Sequence, residues 1–145
     1  MKTILITTLL FCSIAAQSQA VIGFGATTKG LNMNAGYIVN NIVLSGSYDL
    51  PLSSAVKPTI ASITIGKQFN LSNYDEDNFT TTISGGIAKI NYKTFVLDKM
   101  TKHNYSTPIF ALELAKDWYM GRVYIDVKYA NGFYGGVGIK AVLRD

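Results

Sequence analysis

Cysteine and long apolar runs are nearly absent from this 145-residue chain. The only cysteine is Cys12, so no disulfide can form within the chain and no cysteine-based metal site is available. After residue 20 no apolar run approaches the ~20 residues of a membrane-spanning helix, and no segment combines helix caps with a 3.6-residue period. Any membrane insertion beyond residue 20 therefore requires β-strands.

Charge is also scarce, since Asp, Glu, Lys and Arg make up 15% of the chain. The formal net charge of +4 is spread along the sequence without a basic stripe, so no nucleic-acid partner is predicted. Tyrosine, phenylalanine and glycine are plentiful instead, with 9, 7 and 13 copies. This balance favours β structure in a single domain.

The first twenty residues have the composition of a secretion signal. Lys2 provides the positive charge, residues 4–16 form an apolar stretch too short to span a membrane, and residues 18–20 form a small-x-small cleavage site. We therefore expect residues 1–20 to be removed as a signal peptide. Residues 21–145 are then predicted to form one β-barrel domain.

Period-2 alternation divides the mature region into eight short segments separated by turn residues. The strongest turn signal is the pair Asn131 and Gly132. An even number of strands suits an antiparallel up-and-down (meander) β-barrel, and this all-β fold is the prediction. The predicted strands cover residues 21–29, 31–39, 42–50, 58–69, 79–91, 107–116, 121–129 and 133–143.

The fifth segment is irregular because its apolar positions change parity. Ile83 and Ile87 precede Lys89 on one face, whereas Ile90 and Tyr92 lie on the other. We expect a β-bulge in this segment, near residue 88, or an error in its boundary.

Aromatic residues on the apolar strand faces fall into two groups by depth. With the mature N-terminus in the periplasm, one group lies beside the periplasmic turns and the other near the outer strand ends. Two aromatic girdles around an aliphatic band are typical of a membrane barrel, whereas a soluble core has no reason to place them so. The periplasmic group is Tyr37, Phe69, Phe79 and Trp118, and the outer group is Tyr48, Phe110, Tyr129 and Phe133.

The stretch AGYIVNNIVL at residues 35–44 resembles the periplasmic hairpin of small outer-membrane β-barrel proteins of the Bacteroidetes type, in the eight-stranded OmpA/OmpX-like class. A weaker copy covers residues 115–124. The resemblance implies an outer-membrane location with outer-membrane lipid as the surrounding partner, and we expect a monomer. Such barrels commonly finish on an aromatic residue that is missing from residues 141–145, so an exported barrel outside the membrane stays open.

Five charged residues share the inward parity of the last three strands: Glu113, Arg122, Asp126, Lys128 and Lys140. Because buried charges must be paired, we expect adjacent strands to form an internal ion-pair network that fills the lumen structurally. A proton path or a ligand site in the lumen is the alternative.

Residues that could carry chemistry outside the barrel wall are few. The polar segment 93–106, predicted to be an extracellular loop, holds His103, Ser106 and Asp98 without a recognisable motif. The acidic turn 75–77 lacks the glycine and distal glutamate of a calcium loop. No catalytic residue, cofactor or metal site is therefore predicted.

The sequence thus predicts a non-enzymatic outer-membrane barrel that is structural or presents its outer loops, chiefly 93–106 and 50–58, to an extracellular partner. The alternative is an exported soluble barrel that binds a small apolar ligand, against which the ionic inward face argues. A lipid-modifying enzyme that uses His103 is the third hypothesis.

Overall fold

Eight antiparallel strands close into a barrel in a computed structural model that describes residues 19–52, 58–71, 79–96, 99–119 and 121–143. Each strand pairs with the next along the chain, and β1 pairs with β8. The predicted all-β meander barrel is therefore confirmed. The strands are β1 (Gln19–Thr27), β2 (Gly30–Val39), β3 (Ile42–Leu50), β4 (Thr59–Asn70), β5 (Phe79–Val96), β6 (Lys99–Trp118), β7 (Gly121–Tyr129) and β8 (Phe133–Leu143).

The predicted signal peptide lies almost wholly outside the described residues. β1 begins at Gln19, two residues before the predicted first residue of the mature chain, and Gln19 and Ala20 pair with Ile38 and Tyr37 of β2. Cleavage after Ala20 stays a prediction. No helix in the described ranges is long and apolar enough to cross a bilayer.

The connections divide the barrel into two ends. The terminus end holds Gln19, Leu143 and the connections at 40–41, 71–78 and 119–120, whereas the hairpin end holds the connections at 28–29, 51–58, 97–98 and 130–132. The two residues at 40–41 are asparagines with φ of 49° and 64°. Two successive left-handed residues suit a type I′ turn, whose twist matches that of the flanking strands.

Side chains along the barrel wall point alternately outward and into the lumen. In β7 Ile125 points outward and is 53% exposed, whereas its neighbour Asp126 points inward and is 6% exposed. Apolar residues on the outside and charged residues on the inside reverse the arrangement of a soluble protein. This is the arrangement of a barrel whose outer surface contacts lipid.

β5 and β6 are 18 and 20 residues long, against 9 to 12 for the other strands. Their outer parts form a hairpin that continues beyond the barrel rim, and we call residues 88–107 the extension hairpin. The prediction of a loop at 93–106 is therefore wrong. The predicted bulge near Ala88 is also wrong, because Ala88 pairs with Ser62 and Thr107 in an uninterrupted register.

The loop prediction failed because the polarity of the two strand faces reverses at the base of the extension hairpin. In β5 the outward side changes from exposed Ile87 to exposed Lys89, and the inward side changes from Thr82 to buried Ile90. The period of two continues through this point. A prediction that follows apolar residues of one parity therefore ends the strand at the base of the extension hairpin, although the strand continues.

The inward side of the extension hairpin contributes to an apolar cluster at the hairpin end of the lumen, which we call the mouth cluster. Tyr92 and Tyr105 of the hairpin pack against it. Burial of apolar side chains stabilises this end of the barrel as a small soluble-type core. The mouth cluster consists of Ile60, Ala88, Ile90, Ile109, Ala130 and Tyr134.

Gly85 and Gly86 offer a matched test of the outward and inward faces. A Cβ at Gly86 would overlap the carbonyl oxygen of Ile63 in the adjacent strand, whereas a Cβ at Gly85 meets nothing closer than 3.6 Å. We expect Gly86→Ala to lower the free energy of unfolding by about 1–3 kcal/mol, as overpacking does. Gly85→Ala should stay within about 0.5 kcal/mol of the parent. Urea unfolding followed by the fluorescence of Trp118 measures both, and equal losses would contradict the assigned faces.

Candidate functional site

The lumen below the mouth cluster is polar, and its two walls differ in chemistry. Strands β6 to β8 contribute charged side chains, whereas β3 to β5 contribute mainly hydroxyl groups. A cavity of about 70 Å³ lies between the walls. It is large enough for water molecules but far below the ~300–1,000 Å³ of small-molecule pockets. A lumen of this size and polarity does not suit the predicted alternative of a barrel that binds an apolar ligand.

The hydroxyl wall is built from short side chains that bond to each other across strands. Ser45 and Thr64 oxygens lie 2.8 Å apart, and so do those of Ser47 and Ser62. Both pairs are direct cross-strand neighbours in the β3–β4 register. Their short side chains leave the middle of the lumen to the long charged chains of the opposite wall.

The register of the charged wall places like charges opposite one another. Glu113 of β6 lies opposite Asp126 of β7, and Arg122 of β7 lies opposite Lys140 of β8. Like charges directly opposite in a sheet repel. The ion pairs of the lumen must therefore form with other neighbours.

Three ion pairs resolve this repulsion. Lys140 Nζ lies 2.5 Å from Glu113 Oε2, on the far side of the intervening strand β7. Arg122 Nε lies 2.6 Å from Asp117 Oδ1, and an Arg122 Nη1 hydrogen bond of 3.1 Å reaches Gln68 Oε1 on β4. The third pair joins two residues of β7, with Lys128 Nζ lying 3.1 Å from Asp126 Oδ2.

The structure places all five predicted inward charges on the lumen side and brings each to an ionic partner. Only the pair of Arg122 with Asp117 joins adjacent strands in the way expected from the sequence. Asp117 and Gln68 were missed, because Asp117 reads as a turn residue and Gln68 carries no charge. Both residues have the same parity as the inward residues of their strands, and this parity was the sequence signal that could have identified them.

A second polar cluster was missed on β2, β3 and β7. Asp49 is completely buried and accepts a hydrogen bond of 2.8 Å from Asn32 Nδ2. Asn34 Nδ2 donates to Asn32 Oδ1 at 2.9 Å and to the Tyr124 hydroxyl at 3.0 Å. Asp49 Oδ2 has no hydrogen-bond partner among the described residues. The alternation of Asn32 and Asn34 with outward apolar residues was the sequence signal for this cluster.

The eight aromatic residues assigned to the two interfaces all project from the outward face. Phe79 is half-buried and the other seven are exposed. Within the outer group, Phe110 pairs with Tyr129, which pairs with Phe133, so three rings form one row across β6, β7 and β8. The residues at the terminus end are Tyr37, Phe69, Phe79 and Trp118, and those at the hairpin end are Tyr48, Phe110, Tyr129 and Phe133.

Two outward lysines lie among the aromatics of the terminus end. Lys67 Nζ is 5.6 Å from the ring centroid of Phe69, and Lys116 Nζ is 4.8 Å from that of Phe79. These distances permit cation–π attraction. Each ammonium group therefore lies near an aromatic ring assigned to the interface, toward which a long side chain can snorkel.

The residues of the enzymatic hypothesis do not assemble into a site. His103 faces inward, where its Nε2 lies 2.9 Å from Thr94 Oγ1 and its ring stacks on Tyr92 at 4.8 Å. Ser106 lies exposed on the opposite face of β6, and residues 98 and 75–77 lie outside the described ranges. Among the described residues no group of three metal-ligating side chains occurs.

No family model matches the chain, and no curated protein matches it in sequence. Several solved structures do resemble it. The N-terminal β-barrel domain of Pseudomonas aeruginosa OprF is 14% identical, with a TM-score of 0.64 over 88% of this chain and 98% of that one.

Two further structures have a similar fold. Ail, the attachment invasion locus protein of Yersinia pestis, is 11% identical, with a TM-score of 0.57 over 88% of this chain and 99% of its own. A de novo designed transmembrane β-barrel is 10% identical, with a TM-score of 0.57 over 88% and 96% of the two chains. At such identities the likeness shows the eight-stranded fold, and a Bacteroidetes origin stays a prediction.

Breaking one lumen ion pair tests whether it holds the charged wall together. We expect Glu113→Gln and Lys140→Met each to lower the free energy of unfolding by about 2 kcal/mol, because the remaining charge loses its counterion. This is less than for a fully buried pair, since the two side chains keep 18% and 14% exposure. The double variant should lose less than the sum of the single losses. Urea unfolding of the four proteins gives the coupling, and strictly additive losses would contradict the pairing.

Proposed function

We propose that this chain is a non-enzymatic outer-membrane β-barrel that holds the extension hairpin above the membrane surface as its contact surface. The observation that carries the proposal is the reversal of face polarity at the base of that hairpin. After the apolar Ile87, the same face of β5 carries Lys89, Asn91 and Lys93. An abrupt change of this kind is what a bilayer surface imposes on a strand that leaves it.

The neighbouring strand supports the same boundary. In β6 the outward residues change from Phe110 and Pro108 to Ser106 and Asn104. Pro108 pairs with Ile87, and Ser106 pairs with residue 89 of β5. The two strands therefore change polarity at the same level, which supports a planar boundary rather than a local accident of sequence.

The orientation follows from the longest pair of strands and from the end at which the barrel domain begins and finishes. Outer-membrane barrels have short periplasmic turns and longer extracellular elements. Both ends of the barrel domain lie at the terminus end, and the longest pair of strands extends from the hairpin end. We therefore orient the hairpin end outward, as the sequence predicted.

The mouth cluster makes the extension hairpin a rigid surface. An isolated two-stranded hairpin is marginally stable in water, but here its inward side packs on the barrel. Tyr92 stacks on His103 and contacts Tyr105 edge-on, and Asn131 Nδ2 donates a 2.6 Å hydrogen bond to the Tyr105 hydroxyl. The hairpin thus presents outward polar side chains in fixed positions to an extracellular partner.

Transport of solutes through the barrel is not part of the proposal. An eight-stranded barrel is just wide enough to be filled by side chains. Here the mouth cluster occupies one end of the lumen, and the ion pairs surround a cavity of only about 70 Å³.

Arginine at two outward positions tests membrane insertion. Ile125 lies in the apolar band, so Ile125→Arg should cost about 2–4 kcal/mol of folding free energy in a bilayer and reduce assembly strongly. The matched control, Asn104→Arg, places the same side chain beyond the proposed boundary and should assemble like the parent. Membrane fractionation and the yield of folded barrel measure both. Recovery of the parent in the soluble periplasmic fraction without detergent would reject the membrane location.

Cysteine labelling tests the orientation, because residues 21–145 contain no cysteine. Asn104→Cys in the extension hairpin should react in intact cells with a membrane-impermeant maleimide. Asn70→Cys, exposed at the terminus end, should react only after the outer membrane is opened. The opposite pattern would place the hairpin in the periplasm.

A further inference from the structure

We propose that the outer surface of β1 to β5 binds one anionic phospholipid, with an acyl chain in an apolar groove and the net negative headgroup at Lys89. This inference rests on the proposed membrane location and deepens it by naming a lipid partner. It is carried by two separate features, the shape of the outward surface and the charge at one end of it.

The groove exists because small residues face outward on four neighbouring strands. Their larger neighbours, such as Phe24 and Ile63, form its sides. A Cβ added at Gly46 would meet nothing closer than 3.7 Å, so the hollow is open to the outside. Its volume of about 1050 Å³ reaches the upper end of the ~300–1,000 Å³ range of ligand pockets. The small residues are Ala35, Gly46, Ala61 and Gly85.

The surface of the groove is almost entirely apolar, and Lys89 is the lysine that lines it. Lys89 lies opposite Ala61 and follows Ile87 as the first charged outward residue of β5. Its ammonium group forms no ion pair with a described residue. The groove therefore combines a site for a hydrocarbon chain with an unneutralised cation at the level of the lipid headgroups.

Two more lysines extend the positive charge outward along the same face. Lys93 and Lys102 are exposed, lie directly opposite each other and form no ion pair with a described residue. Like charges in this position repel, and an anion close to them reduces the repulsion. Anionic headgroups attract lysines near a membrane surface for the same electrostatic reason.

Charge favours a lipid over a second copy of the chain as the occupant. A two-fold symmetric pair in a membrane has its axis along the membrane normal, so each residue meets its counterpart at the same depth. Packing two copies through the groove would bring Lys89 and the other outward lysines of one copy close to the same lysines of the other copy. A lipid phosphate instead supplies the opposite charge.

The test uses the full chain folded in detergent micelles, with far-UV circular dichroism to confirm β structure before any lipid is added. Native mass spectrometry then measures the binding of phosphatidylglycerol and of phosphatidylcholine. The parent should bind phosphatidylglycerol more tightly. Lys89→Gln should weaken phosphatidylglycerol binding about fivefold, the order expected for one lysine near an anionic surface. Phosphatidylcholine binding should stay unchanged, because the choline group cancels the charge of its phosphate. Lys67→Gln, an outward lysine at the other end, is its control.

Filling the groove tests the acyl-chain part. Gly46→Leu places a Cβ that meets nothing closer than 3.7 Å, projects a side chain into the hollow and should weaken the binding of both lipids at least fivefold. Val127→Leu places the same side chain on the outward face of β7, which contributes no residue to the groove, and should change neither.

Four results would overturn the proposal. Equal binding of the two lipids by the parent, or equal effects of Lys89→Gln and Lys67→Gln, would reject the site for an anionic headgroup. Unchanged binding by Gly46→Leu would reject the groove. A dimer mass that Gly46→Leu removes and lipid does not displace would assign the groove to a second copy. Failure of the parent to fold in micelles would contradict the proposed membrane barrel itself, and it is recognised before the lipid measurements begin.

Discussion

Closure of the hydrogen-bond ladder between β1 and β8 is the constraint on which the rest of the structure depends. A strand that leaves water must pair its backbone groups on both edges, and only a closed ring of strands provides this for every strand. Closure also divides the side chains into an outward and an inward set, because neighbours alternate along each strand. The chemistry of the lumen, the lipid-facing band and the extension hairpin all follow from that division.

In the lumen, closure brings together charged side chains that need ionic partners once they are buried. Glu113 lies opposite Asp126 and Arg122 opposite Lys140 in the β6–β7–β8 register. The ion pairs therefore form across the intervening strand, along one strand, and between Arg122 and the oppositely charged Asp117. Short hydroxyl side chains on the facing wall leave room for these long chains. The result is a lumen filled by interactions within the protein, which suits a rigid support better than a binding pocket.

On the outside of the barrel, the outward face of β5 and β6 changes from apolar to polar along the length of the two strands. The outward residues Ile83, Gly85 and Ile87 of β5 are apolar and Lys89, Asn91 and Lys93 beyond them are polar, while the inward side changes from Thr82 to Ile90. The barrel part of β5 and β6 therefore turns its apolar side chains outward, whereas the extension hairpin turns them inward, and the register continues unbroken through the change. At this boundary, outward lysines can lie at the same depth as the phosphates of the surrounding lipid.

The sequence by itself determined the number of strands, their ends to within one or two residues for most of them, and the side of the wall on which the five inward charges and the eight outward aromatic residues lie. These properties depend on local period and turn chemistry. It failed at residues 93–106, because reversed polarity there resembles a loop when the environment of each face is unknown. Only the tertiary structure decided which groups touch: Arg122 reaches Gln68 through a hydrogen bond across the lumen, and the groove collects small residues from four strands. Such contacts depend on register and closure, which join segments far apart in the chain.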